Sequence, residues 1–497
     1  MSADMISWFA ILLDPSVFVF LLLGFFIGLI FGTIPGLTAT LAVALLLPLT
    51  FGMDTVPALV TCVGIYAAGI YSSGVTGMLI NIPGAPGGAV SGHEGYKMTQ
   101  RGEMSKALGF GAFASMVGGL IGAVLLLVLI EPIAGIAQMF QSPDLFSLVF
   151  MSLVVVAVLY TDDIVKGIIA TTIGLMFATI GIDPFRPVSR ITFGISGFEE
   201  GVGLLVAVVG IFAVAEVIRQ AEIGGKITKL SKSELRGLSR RQFIPTLADL
   251  RNIKKTVWVK SPFIGVGAGI LPGAGAAMAA LLSYGEAKRT SENKDEYGEG
   301  SLEGLVSAES GNNAMCPGAI IPLLTFGIPG DAVTALMLGV LLIHGLVPGP
   351  GLVAEQGAVV GPMLASFAIT PLLILISIFI LGTFYARMIS LNKAFLYAFI
   401  SMIAIVGVYA ATFSTFQLTM VVIVGIIAYL LAREGYPQIP FLMGFILGPF
   451  FENYLRTALL VNQNSITMFV TRPLSLLFLL LSIVFAYVLG YKMKQDV

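Results

Sequence analysis

Apolar stretches recur along the whole chain, separated by short polar breaks. They cover 17–34, 37–52, 57–82, 107–130, 145–160, 164–181 and 201–218, then 262–283, 305–327, 332–347, 358–384, 394–412, 416–432, 439–455 and 474–491. Such lengths suit helices that cross about 30 Å of hydrocarbon. Several are short or interrupted by Gly and Pro, so some are expected as half-helices or hairpins; 262–283 fits the alternation of sides awkwardly as a span, and a hairpin entering from the inside would preserve it. The expected fold is an all-α polytopic membrane protein with about 12–15 transmembrane or re-entrant helical segments.

Composition fits this picture. The chain has 497 residues, 57% hydrophobic and only 11% charged, with a mean hydropathy of +0.96. Soluble domains carry about 25% charge, so that class is excluded. The 58 Gly and 24 Pro predict broken helices, tolerated in a membrane only where protein or water satisfies the freed backbone groups. Cys62 and Cys316 lie in apolar segments and read as inert buried thiols. His93 and His344 are single, so no metal site is expected. No nucleophile–base pair and no phosphate-cradling Walker sequence occurs, so neither an enzyme nor an ATPase is expected, and no cofactor or nucleic-acid partner.

Positive charge sets the expected sides of the membrane. No Lys or Arg precedes Lys97, which places the amino terminus outside, and the amino end lacks the basic region of a cleavable signal. Lys97, Arg101 and Lys106 mark 91–106 as cytoplasmic, and 219–260 holds eleven Lys or Arg against three acidic residues. Lys288, Arg289 and Lys294 give 284–303 a weaker internal signal, and 345–357, without Lys or Arg, reads as external. Arg387 and Lys393 mark an internal loop, and Lys492 and Lys494 place the carboxyl end inside.

The chain repeats itself. Phe26-Ile27-Gly28, Gly32 and Pro35-Gly36 align without gaps with Phe263-Ile264-Gly265, Gly269 and Pro272-Gly273, and Ile82-Pro83-Gly84 recurs as Ile328-Pro329-Gly330. Gly28 and Gly265 are 237 apart and Gly84 and Gly330 are 246 apart, so the second half carries a net insertion of nine residues, most of it placed in 284–303. The loop after the first Ile-Pro-Gly is basic and the loop after the second is not, which predicts halves of opposite orientation. The expected division is 1–218 with core 17–90, a cytoplasmic basic linker 219–260, and 261–497 with core 262–347. Inverted repeats with paired Gly/Pro breaks point to a transport site between them. Freed amides at helix N-termini suit anions, and freed carbonyls suit a cation.

Polar groups within spans are expensive, which makes them candidates. Ser72, Ser73, Thr76 and Asn81, beside Tyr71, precede the first Ile-Pro-Gly, and Glu309, Ser310, Asn312, Asn313 and Thr325 precede the second. The Ser and Asn side chains, with amides near Gly84 and Gly330, are expected to hold carboxylates. Main-chain carbonyls near Pro35, Gly36, Pro83, Pro272, Gly273 and Pro329, with Glu309 and Asp331, are candidates for a driving cation, sodium or proton. Asp331 reads equally as a helix cap, and the other polar groups equally as interhelical hydrogen bonds. No Lys or Arg lies in 1–96 or 295–386, so an anion bound by these segments needs helix ends, neutral donors and a co-bound cation. Asp162 and Asp163 beside Lys166 read as a loop pair, Asp183, Arg186 and Arg190 as an interface or partner contact, and Glu452 with Arg456 as a helical salt bridge.

At these motifs the chain resembles the large membrane subunit of the tripartite tricarboxylate transporter family (the TctA type). The residues that carry the likeness are Gly28, Gly32 and Pro35-Gly36-Leu37, the run Tyr71 to Gly84, Gly269 with Pro272-Gly273, Glu309-Ser310-Gly311-Asn312-Asn313, and Phe326 to Asp331. The resemblance implies a permease in the cell (inner) membrane, working with a small four-span membrane subunit and an extracytoplasmic solute-binding protein. It implies cation-driven uptake of a small carboxylate, with citrate the namesake. Alternating access is expected, with elevator and rocking motions both open. An ion channel or pore-forming subunit is the other reading, against which the inverted repeat weighs.

Overall fold

The computed structural model describes residues 2–161, 163–223, 243–388 and 393–493. Most of the basic linker (224–242), Asp162 and Lys494 lie outside the described residues, as do the side chains of Arg387, Lys393 and Lys492.

The described residues are helical almost throughout. In order come α1 (Ser2–Leu12), α2 (Pro15–Thr33), α3 (Ala39–Leu49), α4 (Thr55–Ile80), α5 (Ala89–Gln100), α6 (Met104–Ala137), α7 (Ser142–Leu159) and α8 (Ile164–Ala178). A two-residue ribbon pairs Gly181–Ile182 with Ser189–Arg190. Next are α9 (Leu204–Val208), a π-helical turn (Val209–Val214) and α10 (Ala215–Ile223). The second half has α11 (Leu247–Asn252), α12 (Lys255–Ile270), α13 (Gly275–Thr290), α14 (Leu302–Phe326), α15 (Ala332–Ile343), α16 (Leu352–Glu355), α17 (Gly357–Met388), α18 (Lys393–Thr412), α19 (Thr415–Arg433), α20 (Gln438–Val461), α21 (Met468–Thr471) and α22 (Pro473–Met493). Seven described helices are long and apolar enough to cross a membrane. The protein is thus an all-α polytopic membrane protein, as the apolar pattern predicts. The basic 91–106 segment differs from its reading as a loop: α5 occupies most of it, because Gly92 and Gly95 let this polar helix lie against α4 at Gly77 and Met78.

The two repeated segments fold alike. A helix ends at a Pro-Gly turn, a second helix leads back, and a long helix packs across the first: α2, α3 and α4, then α12, α13 and α14. Glycines set these packings. A Cβ at Gly28 would lie 2.5 Å from the Ile65 carbonyl oxygen, and one at Gly265 would strike that of Gly311. Gly32 meets Gly69 as Gly269 meets Met315, and Gly84 closes on Gly32 as Gly330 closes on Gly269. Each correspondence keeps the same residue offset as the sequence repeat. The long helices end alike too, in the left-handed region, at Asn81 (φ 56°) and Gly327 (φ 70°).

α4 and α14 run antiparallel across each other. Tyr66 reaches Met315, Gly74 lies at Glu309, and Gly95 sits between Met78 and Leu305. The most apolar stretch of α4 is wholly buried, so this pair forms the centre. α6 and α17 pack beside it, while α7, α8, α20 and α22 form a second group.

Candidate functional site

The first Pro-Gly turn borders a cavity with a partly polar wall. Ile34 to Leu37 closes with an amide-to-carbonyl bond of 3.0 Å, Gly36 takes φ +92°, and Thr38 caps α3 by accepting from the Leu41 amide at 3.1 Å. The cavity, of about 590 Å³, is lined here by Gly36, Thr38, Thr40, Pro83, Gly84 and Pro86. Val333, in the first turn of α15, joins from the second repeated segment, and Glu216 and Arg219 from α10. Tyr436 and Gln438 complete it where α19 gives way to α20. The start of α3 gives this cavity partial positive charge.

Arg219 answers a question the sequence left open. The repeated segments line the cavity with no basic side chain, but α10 brings one to its wall. There Glu216 engages it with Nε and Nη2 bonds of 2.8 Å each, and Gln220 donates to the same carboxylate at 2.8 Å. Neither Arg219 nor Thr38 and Thr40 stood among the sequence candidates. Thr38 carried a signal, a hydroxyl capping residue just after a Pro-Gly turn. Arg219 carried none, because only tertiary packing brings α10 to the turn.

The hydroxyls named from sequence are engaged elsewhere. Ser72 donates to Gly28 O at 3.2 Å and Thr76 to Thr33 O at 2.6 Å, tying α4 to α2. Ser73 donates to Ile70 O and Thr325 to Ile321 O, each at 2.7 Å within its own helix. All four are buried, and none lines the cavity. Asn81 is exposed at the helix end. Pro35 is buried behind the turn, and Gly330 packs on Gly269.

The second turn is closed in. Leu271 to Ala274 repeats the first turn's bond at 3.2 Å and Gly273 takes φ +82°, but its amide donates to Gly330 O at 2.9 Å. Val156 of α7 packs against Gly273, and Tyr160 lies over Gly275. Pro272 borders an apolar cavity of about 180 Å³ with Ile133, Phe326 and Phe478.

Two buried acids flank this region in different ways. Asp331 caps α15: Oδ1 accepts from the Thr334 amide (2.8 Å) and hydroxyl (2.7 Å), and Oδ2 from Tyr66 (2.7 Å). Glu309 lies in mid-helix and accepts from Ser91 (2.5 Å), Ser115 (2.9 Å) and Asn313 Nδ2 (3.2 Å). Asn312 beside it is buried against Gly87, and neither end of its amide has a hydrogen-bond partner among the described residues.

The remaining candidates hold the scaffold. Arg456 pairs with Glu452 at 3.1 Å and with Asp183 at 2.8 Å, and Arg190 bridges to Glu452 at 2.6 Å. The Arg456 guanidinium keeps the Asp183 carboxyl well below the usual carboxylate range. Asp163 caps α8. Cys62 and Cys316 are buried and free, and His344 meets Thr55 at 3.2 Å. No group of three or more His, Cys, Asp or Glu that would suit a metal is found among the described residues.

Fold and cavity together define a multi-pass membrane protein with a partly polar cavity at a helix break. The chain belongs to the tripartite tricarboxylate transporter TctA family, whose model matches residues 18–443. It is 32% identical over 496 residues to an uncharacterized 52.8 kDa protein in the TAR-I ttuC' 3' region of Agrobacterium vitis, covering 97% of this chain and 96% of that one. A second Agrobacterium vitis protein, from the TAR-II ttuC' 3' region, is 36% identical over 231 residues, 46% of this chain and 96% of the relative. No solved structure matches the chain.

Proposed function

We propose that this chain is the permease subunit of a cation-coupled secondary transporter that imports small organic anions, di- or tricarboxylates such as citrate, by alternating access. An extracytoplasmic binding protein delivers the ligand, and a small four-span subunit completes the membrane complex. The residues divide into two inverted repeats, 1–218 and 261–497, joined by the basic linker. The membrane is the cell (inner) membrane, with the amino terminus outside and the carboxyl terminus in the cytoplasm.

One observation carries this reading beyond family membership. A single cavity joins the Pro35-Gly36 turn and the Pro83-Gly84 segment of one repeat to the start of α15 in the other, with the N-terminus of α3 facing it. An anion there meets freed amides, the Thr38 and Thr40 hydroxyls and the Arg219 guanidinium. The cavity lies where α10 and α19 end, beside Arg433, and with that end on the cytoplasmic side the cavity opens inward. Asn312 lies against Gly87 behind this segment, while Asn313 donates to Ser115 and Glu309.

The test is uptake of a panel of carboxylates by vesicles holding all three subunits, under sodium and under pH gradients. Saturable, gradient-driven accumulation is expected. Non-saturating flux that follows only the solute's own gradient would establish a channel instead.

A further inference from the structure

We propose that Glu309 binds a proton as the coupling ion, and that Ser91 relays its protonation to the segment lining the cavity. This rests on the reading of the chain as a secondary transporter and chooses between the two driving cations that reading leaves open.

Glu309 is fully buried where α14 crosses α4, α5 and α6. Gly74 of α4 makes the room, since a Cβ there would strike Glu309 Oε1. Tyr71 apart, charged and titratable groups on the surrounding helices are occupied or distant. Tyr71, on α4, packs its ring on Tyr385 of α17, and its hydroxyl has no hydrogen-bond partner among the described residues. On α5, Glu94 accepts from the Gly298, Gly300 and Ser301 amides and from Tyr284, Lys97 pairs with Glu299, and His93 meets Gly298 O. On α6, Lys106 pairs with Asp249, and Glu131 is exposed beyond the mid-helix. On α14 itself, Glu303 is held by Ser291 and Tyr297. No cation among the described residues balances an anion at Glu309, and uncompensated charge at membrane depth is costly.

The donor set suits a proton and not a sodium ion. A hard cation needs several oxygen lone pairs converging on it. Here two hydroxyls and an amide NH2 direct hydrogens at one carboxylate. Asp331 differs: it sits at a helix start, where the dipole favours its charge, and its oxygens serve the cap and Tyr66.

Ser91 gives the relay. Its hydroxyl donates to Glu309 at 2.5 Å and also lies 3.4 Å from Gly88 O. When a proton from solution binds Glu309 Oε1, the new O–H donates to Ser91 Oγ, and the Ser91 hydrogen turns to Gly88 O. Gly88 ends the segment that begins with Pro83 and Gly84 on the cavity wall. Asn312, one turn beyond Glu309, lies against Gly87 of the same segment.

The experiment is infrared difference spectroscopy of the chain in lipid nanodiscs between acid and alkaline pH, with uptake by the complete transporter in vesicles. A carbonyl-stretch band of a neutral, buried carboxylic acid is expected at acid pH, lost on alkalinisation, absent in Glu309→Gln and retained in Asp331→Asn. Ser115→Ala, which removes a donor to the anion, is expected to let the band persist to higher pH, and it serves should Glu309→Gln fail to fold. A pH gradient without sodium should drive carboxylate uptake at least tenfold better in wild type than in Glu309→Gln. A band that survives Glu309→Gln, or that ignores Ser115→Ala, overturns the proposal. Uptake driven by sodium and indifferent to a pH gradient overturns it while leaving the transporter reading intact. Wild-type vesicles that move no carboxylate under either gradient overturn both.

Discussion

The turns at Pro35-Gly36 and Pro272-Gly273 share a backbone and differ in everything around it. Both close with an i to i+3 bond and both place Gly in the left-handed region, at φ +92° and +82°. The first faces a cavity of about 590 Å³ bounded by Glu216 and Arg219, whereas the second is covered by Val156 and bonds to Gly330. The duplicated residues therefore fix the shape of the break, and the helices outside the repeat decide whether it is open. The proposed alternation requires that α7 leave the second turn in the opposite state, so that the covered turn becomes the open one.

The comparison holds only if the two repeats share one packing, and the glycine crossings test that most severely. Gly28→Val puts a side chain 2.5 Å from the Ile65 carbonyl oxygen, and Gly265→Val drives one into that of Gly311. Backbone atoms cannot swing aside, so the helices must separate, and each variant should lose about 3 kcal/mol or more. Thermal unfolding of detergent-solubilised protein, followed by size-exclusion chromatography, reads this directly. Equal losses support equivalent packing. A tolerated Gly28→Val beside an unfolded Gly265→Val would show that the first crossing adapts and the second does not.

How far these features could be read in advance depends on whether neighbours in sequence or in space fix them. The helix expected at 57–82 is α4 (Thr55–Ile80), and the hairpin expected over 262–283 is the α12–α13 pair with Pro272-Gly273 at its tip. Those features follow from apolar length and from residues that stop a helix, which are local. Ser72, Ser73, Thr76 and Thr325 were legible as buried polar groups, but not their partners. A hydroxyl in a helix can satisfy itself on a carbonyl a turn earlier or on a crossing helix, and the four do one or the other. Arg219 was illegible as a cavity residue because it belongs to neither repeated core. Glu309 was legible as an acid in a span. Its three neutral donors come from helices more than 190 residues apart in the chain as well as from its own turn, and only the fold gathers them.

A smaller effect separates the two helix ends. Gly327 holds φ +70°, so Gly327→Ala forces a Cβ into the left-handed region and should cost about 1–2 kcal/mol. Asn81 already holds φ 56° with a residue type that tolerates it, so Asn81→Gly should change stability by under about 0.5 kcal/mol. Carboxylate uptake by the Asn81→Gly transporter should keep its KM within about twofold, since the exposed side chain owes its place to the turn. A tenfold rise, about 1.4 kcal/mol, would instead put its amide on the ligand.

A further effect, on binding more than on stability, concerns the feature that makes the first turn unlike the second. Arg219 is about half exposed and its bond to Glu216 is a helical i,i+3 pair, so Arg219→Gln should leave the melting temperature nearly unchanged. If the guanidinium meets the anion, KM for carboxylate should rise about threefold to tenfold, about 0.7–1.4 kcal/mol. Glu216→Gln sharpens the point, because it removes the carboxylate that competes with the substrate for the same donors. Its KM should fall, and raised salt should shrink the difference by screening an exposed charge. If both variants raise KM alike, the pair acts as a unit that shapes the cavity, and the first turn then binds its anion through the α3 amides and the two threonines alone.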